Sequence, residues 1–189
     1  MTTHYTNLSL ADACAALAAI ARDTQSVFGT LDGRQLNWRP DTTRWSVAQC
    51  FDHLLNANRE MFQAIDAAMD ASQPQTLWQR LPLLPRLFGR LLITSQMPEA
   101  ARKFSAPPAI VPAASAIDPG IVDRFVAHQH EAAARIRSLE GRDVTRIMVS
   151  PFVSFITYSV LDGCRLIVTH EARHVEQARR VTREAGFPG

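Results

Sequence analysis

The strongest limit on how this chain can fold is its apolar periodicity: in four separate stretches the apolar residues recur every three or four positions, along one side of an α-helix. From Ser9 to Phe28 these are Leu10, Ala13, Leu17, Ile20, Val27 and Phe28, with Thr24 filling one longer gap. The helix is expected to stop before Gly29, and the stretch from Asp32-Gly33 to Pro40 carries turn signals. Ser46 with Gln49 three residues on forms a capping box that opens a second helix at Val47. That helix runs to about Asp70, with Val47, Cys50, Phe51, Leu54, Met61, Phe62, Ile65 and Met69 as a broad inner stripe. Asp118-Pro119 predicts the start of a third helix, whose inner face is Ile121, Phe125, Ala132, Ile136 and Leu139, with His128 in the gap and Gly141 as its end. After the apolar stretch Ile147 to Ile156, Ser159 and Asp162 predict a cap for a last helix reaching about Ala185.

Between the second and third helices, residues 74–119 hold eight of the eleven prolines yet include an apolar run from Trp78 to Ile93, broken by Pro82, Pro85 and Gly89. Prolines that close together forbid one continuous helix. Two short helical pieces and an extended crossover around Pro107, Pro108 and Pro112 are expected. A connection packed on the other helices is preferred over a lid or a dimer contact, because long loops are only sometimes functional. Four amphipathic helices with one long connection indicate an all-α fold, an antiparallel four-helix bundle formed by residues 1–189 as a single domain.

A chain of 189 residues can bury a sizeable core without disulfides or a structural metal. The formal net charge of +2 gives no global basic field for nucleic acid or an anionic membrane. Arg173, Arg179, Arg180 and Arg183 alternate with Glu171, Glu176 and Glu184, which reads as the solvated face of a helix. The cysteines, Cys14, Cys50 and Cys164, are three in number and widely spaced, which fits a reducing cytoplasm and small core or flank roles. Met1–Leu10 lacks the basic and apolar regions of a secretory signal, and no stretch reaches membrane-span length, so a cytoplasmic protein is expected.

The histidines carry the chemistry. His170 and His174 are four apart in the last helix, so their rings leave one face one turn apart and can share an ion. On a helical wheel Gly163, Leu166, Ile167, Gln177 and Val181 fall around His170, so the pair lies on the apolar face. His53, on the flank of the stripe in the second helix, is a third candidate ligand, placed at the edge of the core, where a site open to solvent can form. Three histidines leave coordination positions free for water or substrate, as in catalytic metal sites. His128 is the main competitor for a ligand role; His130 faces solvent and His4 lies in the N-terminal tail. Gln177, two turns from His170, either orients a ligating ring or bound water or is a hydrogen-bonded polar residue at the bundle end. The ion is one divalent metal, and zinc, nickel, iron and manganese all suit histidine sites. Trp38 and Trp45 either line a pocket or pack the core near a helix start, and packing is the preferred role.

Two motifs compete. His170-Glu171-Ala172-Arg173-His174 matches the HExxH signature of zinc peptidases, in which the glutamate activates water. Yet only fifteen residues follow His174, none a histidine, and Gln177 stands where the extended metzincin pattern needs glycine. In the bundle reading Glu171, about 100° around the helix from His170, points off the metal direction. The other pattern comprises Asn37-Trp38-Arg39-Pro40, Arg44-Trp45-Ser46-Val47-Ala48-Gln49, His53, and His170 to Gln177 with its H-x-x-x-H spacing. In order and spacing this resembles the DinB-like proteins, whose simplest members lack a Pro-rich insertion like that at 74–119. The resemblance implies a metal-binding helical bundle. It also implies kinship with bacillithiol- or mycothiol-dependent S-transferases and isomerases and with the metal-binding domain of ergothioneine-forming sulfoxide synthases. The expectations are a metal-dependent transferase or hydrolase-like enzyme acting on a small molecule such as a low-molecular-weight thiol, or a non-catalytic metal-containing stress-response or binding protein, in either case with a homodimer as one option. The sequence designates no catalytic residue.

Overall fold

A computed structural model describes residues 5–70, 84–99, 107–113, 116–152 and 155–189. In chain order the elements are α1 (Leu10–Phe28), α2 (Gly33–Asn37), α3 (Val47–Met69), α4 (Leu84–Ser95), α5 (Ile121–Arg137), β1 (Met148–Val149), β2 (Tyr158–Ser159) and α6 (Val160–Val181). The structure is mainly helical; β1 and β2 form an antiparallel two-stranded ladder pairing Met148 with Ser159 and Val149 with Tyr158.

α1, α3 and α6 each start where a side chain satisfies free N–H groups. Ser9 with Asp12 and Ser46 with Gln49 make full capping boxes. Ser159 accepts from the Asp162 N–H without the reciprocal bond, because the Asp162 carboxylate pairs with Arg165 at 2.9 Å. α2 occupies a stretch expected to be only turns: Asp32 and Gln35 cap one another, the same box at a single turn of helix. α5 begins at Ile121, later than Asp118-Pro119 suggested, and Asp118 instead accepts from the Gly120 N–H at 2.9 Å. Beyond Arg137 the chain turns through to Gly141, whose φ of +79° only glycine adopts without strain. α6 likewise stops at Val181, short of Ala185, and turns into Gly186 at φ +85°.

α1 packs on α5 and α6, and α3 packs on the same two helices, so the four long helices close a ring around the core. One apolar cluster, centred on Leu17, Ile136, Tyr158 and Ile167, fills the end near the β-ladder. The other, centred on Phe28, Phe51, Phe125 and Val175, fills the opposite end. Phe51 is fully buried, edge-on to Phe28 at 5.2 Å and stacked on Phe125 at 4.8 Å, so it ties α1, α3 and α5 together. Of the two helical pieces expected in the Pro-rich connection, one is α4, packed on α6 and β2; the other falls outside the described residues. No helix among the described residues is long and apolar enough to cross a membrane.

Phe51→Ala removes a buried ring that three helices share. It is expected to lower stability by about 3–5 kcal/mol, read as a lower urea midpoint with an unchanged m-value.

Candidate metal centre

α3 and α6 lie against each other and carry the site. His170 and His174 leave one face of α6, and His53 meets them from the second turn of α3. Ring centroids lie 4.9 Å apart for His53–His170, 4.7 Å for His53–His174 and 4.6 Å for His170–His174. His53 Nε2 and His170 Nε2 are 3.1 Å apart. One nitrogen from each of the three rings lies within 4.8 Å of the other two, a grouping that could hold a metal ion.

His53 Nδ1 lies 2.6 Å from the Ile110 carbonyl oxygen. A carbonyl only accepts, so the proton of this neutral ring sits on Nδ1 and the Nε2 lone pair is free toward His170. Two nitrogens on one ion, each about 2.0–2.1 Å from it, stand about 2.9–3.4 Å apart, which brackets the His53–His170 spacing. His174 Nδ1 is buried without a hydrogen-bond partner. These features fit an ion better than a self-contained polar cluster, which would pair its donors and acceptors.

The electrostatics favour neutral rings, the form that ligates. Burial lowers the His53 pKa, against the opposing pull of the Ile110 carbonyl and Asp52. Burial holds His170 well below its ordinary value, with the positive forms of His174 and His53 adding to the effect. His174 is pushed down to about 3, chiefly by burial and then by His53 and Arg173, while the nearby Gln177 side chain acts the other way. Gln177 therefore stands beside a candidate ligand, in the place where it can orient that ring. His53 is 2 % exposed, deeper than the core edge its wheel position suggested, and His170 is the half-buried member that opens the cluster toward solvent.

Trp45 packs against the core as expected, and it also reaches the histidines. Half-buried one residue before the Ser46 cap, it stacks on His174 with centroids 5.7 Å apart and lies 4.8 Å from the His53 ring. It walls one side of the cluster. Trp38 does pack against the core, edge-on to Phe187 near the C-terminus at 5.6 Å. His128 is no part of the triad: its Nε2 is 3.1 Å from Asn58 Nδ2, and His130 is exposed as expected. His4 lies outside the described residues.

Glu171 corrects an expectation, for it belongs to no solvated face. It is fully buried, and its Oε1 accepts from Asn58 at 2.6 Å and from Gln129 at 3.2 Å. This side chain is committed to α3 and α5, leaving the HExxH match without its general base. Burial raises its pKa to about 8, against the two amide bonds that lower it. Its Oε2 and the Gln129 Oε1 are buried acceptors without donors. A proton on Glu171 converts one of them into a donor. The signals for Asn58 and Gln129 were present in the sequence, since each interrupts an apolar stripe, at 54-58-61 and 125-129-132.

The two shifts act in opposite directions on the metal-free protein. His174 has a lowered folded pKa, so its contribution is full above the ordinary 6.5 and is lost as pH falls through about 3. Glu171 has a raised one, so its contribution is full below the ordinary 4.5 and is lost as pH rises through about 8. Glu171→Gln, which carries an amide donor at every pH, is expected to change urea stability little at pH 5. At pH 9 it should raise stability by on the order of a few kcal/mol; equal effects at both values would refute a neutral buried Glu171.

The family model of the DinB superfamily matches residues 16–178. No curated protein and no solved structure matches the chain. The match takes in most of α1, most of α6 and everything between, including all three converging histidines, and on that span the chain belongs to the DinB superfamily.

Proposed function

We propose that this protein is a metal-dependent enzyme built on an antiparallel four-helix bundle, with His53, His170 and His174 holding one divalent ion and a small molecule as substrate. The carrying observation is the convergence of three neutral imidazoles at a half-open point between α3 and α6, with Trp45 beside them. A divalent ion in such a site lowers the pKa of a bound thiol or water and so supplies a nucleophile at neutral pH.

The preferred reaction is transfer of an external low-molecular-weight thiol to an electrophilic substrate. The chain's own thiols are poor candidates: all three cysteines are buried, and burial raises Cys50 and Cys164 to about 12 and also raises Cys14. Water in place of the thiol gives the hydrolase-like variant of the same chemistry. Zinc, nickel, iron and manganese remain the candidate ions, since imidazole accepts each. A cytoplasmic setting with reduced thiols at hand suits both the reaction and the free cysteines.

The test combines metal content with activity. Untagged protein is expected to carry close to one equivalent of divalent metal by elemental mass spectrometry and to transfer a thiol such as bacillithiol or mycothiol to an electrophile. His174→Ala should lose the metal and at least a hundredfold in rate; a variant that keeps full thiol-transfer activity overturns the enzyme reading.

A second reading, a metal-containing binding or stress-response protein that acts as a dimer without turnover, draws on α4. Leu87 and Leu91, one turn apart, are each 61 % exposed there. Sedimentation equilibrium tests it: a dimer weakened by Leu87→Glu and Leu91→Glu supports this reading, and a monomer at every concentration removes it.

A further inference from the structure

The third ligand comes from a different helix than the other two, and its ring is held by a segment that belongs to neither. Residues 107–113 run across α3 as a 3₁₀ turn at Pro108–Ile110 followed by extended chain. Little of this segment is packed: Ile110 and Pro112 are buried, whereas Pro107, Pro108, Ala109, Val111 and Ala113 are exposed. Hydrogen bonds from α3 supply the rest of its anchorage. Asp52 Oδ2 accepts from the Ala113 N–H at 2.9 Å, and Gln49 Nε2 donates to the Ala113 carbonyl at 2.9 Å. Both polar groups of one peptide residue are thus clamped by side chains three apart on α3. The next residue of α3 after Asp52 is His53, whose Nδ1–H donates to the Ile110 carbonyl.

Gln49 is fixed from its other end as well. Its Oε1 accepts from the Ser46 N–H at 3.1 Å in the capping box, so the amide that grips Ala113 cannot turn away without opening the cap. Farther along, Asn37 accepts from the Ile117 N–H and donates to the Ile117 carbonyl, both at 2.8 Å. The chain is therefore pinned at Ala113 and again at Ile117.

We infer that Asp52 and Gln49 are positioning residues of the metal centre: by clamping Ala113 they hold the Ile110 carbonyl on His53 Nδ1, which fixes the ring and its tautomer with Nε2 directed at His170. The inference rests on the reading that His53, His170 and His174 bind an ion. The physical reason is that a ligating imidazole is oriented by the acceptor on its other nitrogen, and loosening that acceptor weakens the site. By reciprocity, an ion bound at Nε2 must tighten the 107–113 segment by the same factor.

Zinc serves as the probe ion, with affinity measured by competition against a chromophoric chelator. Asp52→Ala, which removes the acceptor for Ala113 N–H, should weaken zinc binding about 10- to 100-fold. Asp52→Asn keeps an acceptor oxygen at the same place without the charge and should bind within about threefold of the wild type. Equal weakening in both variants assigns the effect to the lost charge and overturns the inference, as does unchanged affinity in Asp52→Ala. Hydrogen exchange followed by mass spectrometry gives a second readout: zinc should slow exchange across 107–113 in the wild type and not in Asp52→Ala. Cobalt substitution adds a spectroscopic one, a shifted visible absorption band in Asp52→Ala alone. A wild-type chain that takes up no zinc overturns the metal reading and this inference together, whereas zinc uptake indifferent to Asp52 overturns this inference only.

Discussion

Three imidazoles pressed against one another inside a protein are the interaction on which the rest of this structure turns. Burial disfavours the charged ring, and each charged neighbour would disfavour the next, so the cluster is held neutral. Neutral rings carry lone pairs, and the closest of these, on His53 and His170, belong to nitrogens 3.1 Å apart. Such an arrangement needs either a proton between two rings or a cation among all three. With the His53 proton directed at Ile110, its Nε2 lone pair faces the other two rings, and the three together could hold a cation.

The helices are organised to make that cluster possible. α3 and α6 must run close enough for one residue of α3 to reach two of α6, and the two helices pack directly on each other. Phe51 locks the neighbouring layer of the core, two positions before His53, so the ring's starting point is set by apolar packing. Its direction is then set by a backbone carbonyl from a Pro-rich segment. Proline suits that segment, since a fixed φ lowers the entropy lost on ordering a strip of chain with little buried surface.

Two neighbouring residues of α6, His170 and Glu171, face different environments and do different work. The first joins the imidazoles; the second enters a polar pocket with Asn58 and Gln129 and stays there as a buried, readily protonated carboxyl. A signature written along the chain cannot distinguish these, because the 100° between adjacent helical positions separates the imidazole cluster from a polar pocket in the core. The peptidase reading fails for this geometric reason.

Periodicity and capping chemistry determined the helical character of the chain, the starts of α1, α3 and α6, and the histidine pair on one face of α6, because each is a local property read within a few residues. Local reading also held the signal for α2, in the Asp32–Gln35 box, though a single turn of helix is easily taken for a loop. What the tertiary structure alone decided is which faces meet. The depth of His53, the stacking of Trp45 on His174, the capture of Glu171 by two amides and the Ile110 carbonyl behind His53 all join residues far apart in sequence. Such contacts depend on how helices rotate and slide against one another, and a wheel drawn on one helix contains no information about its neighbour.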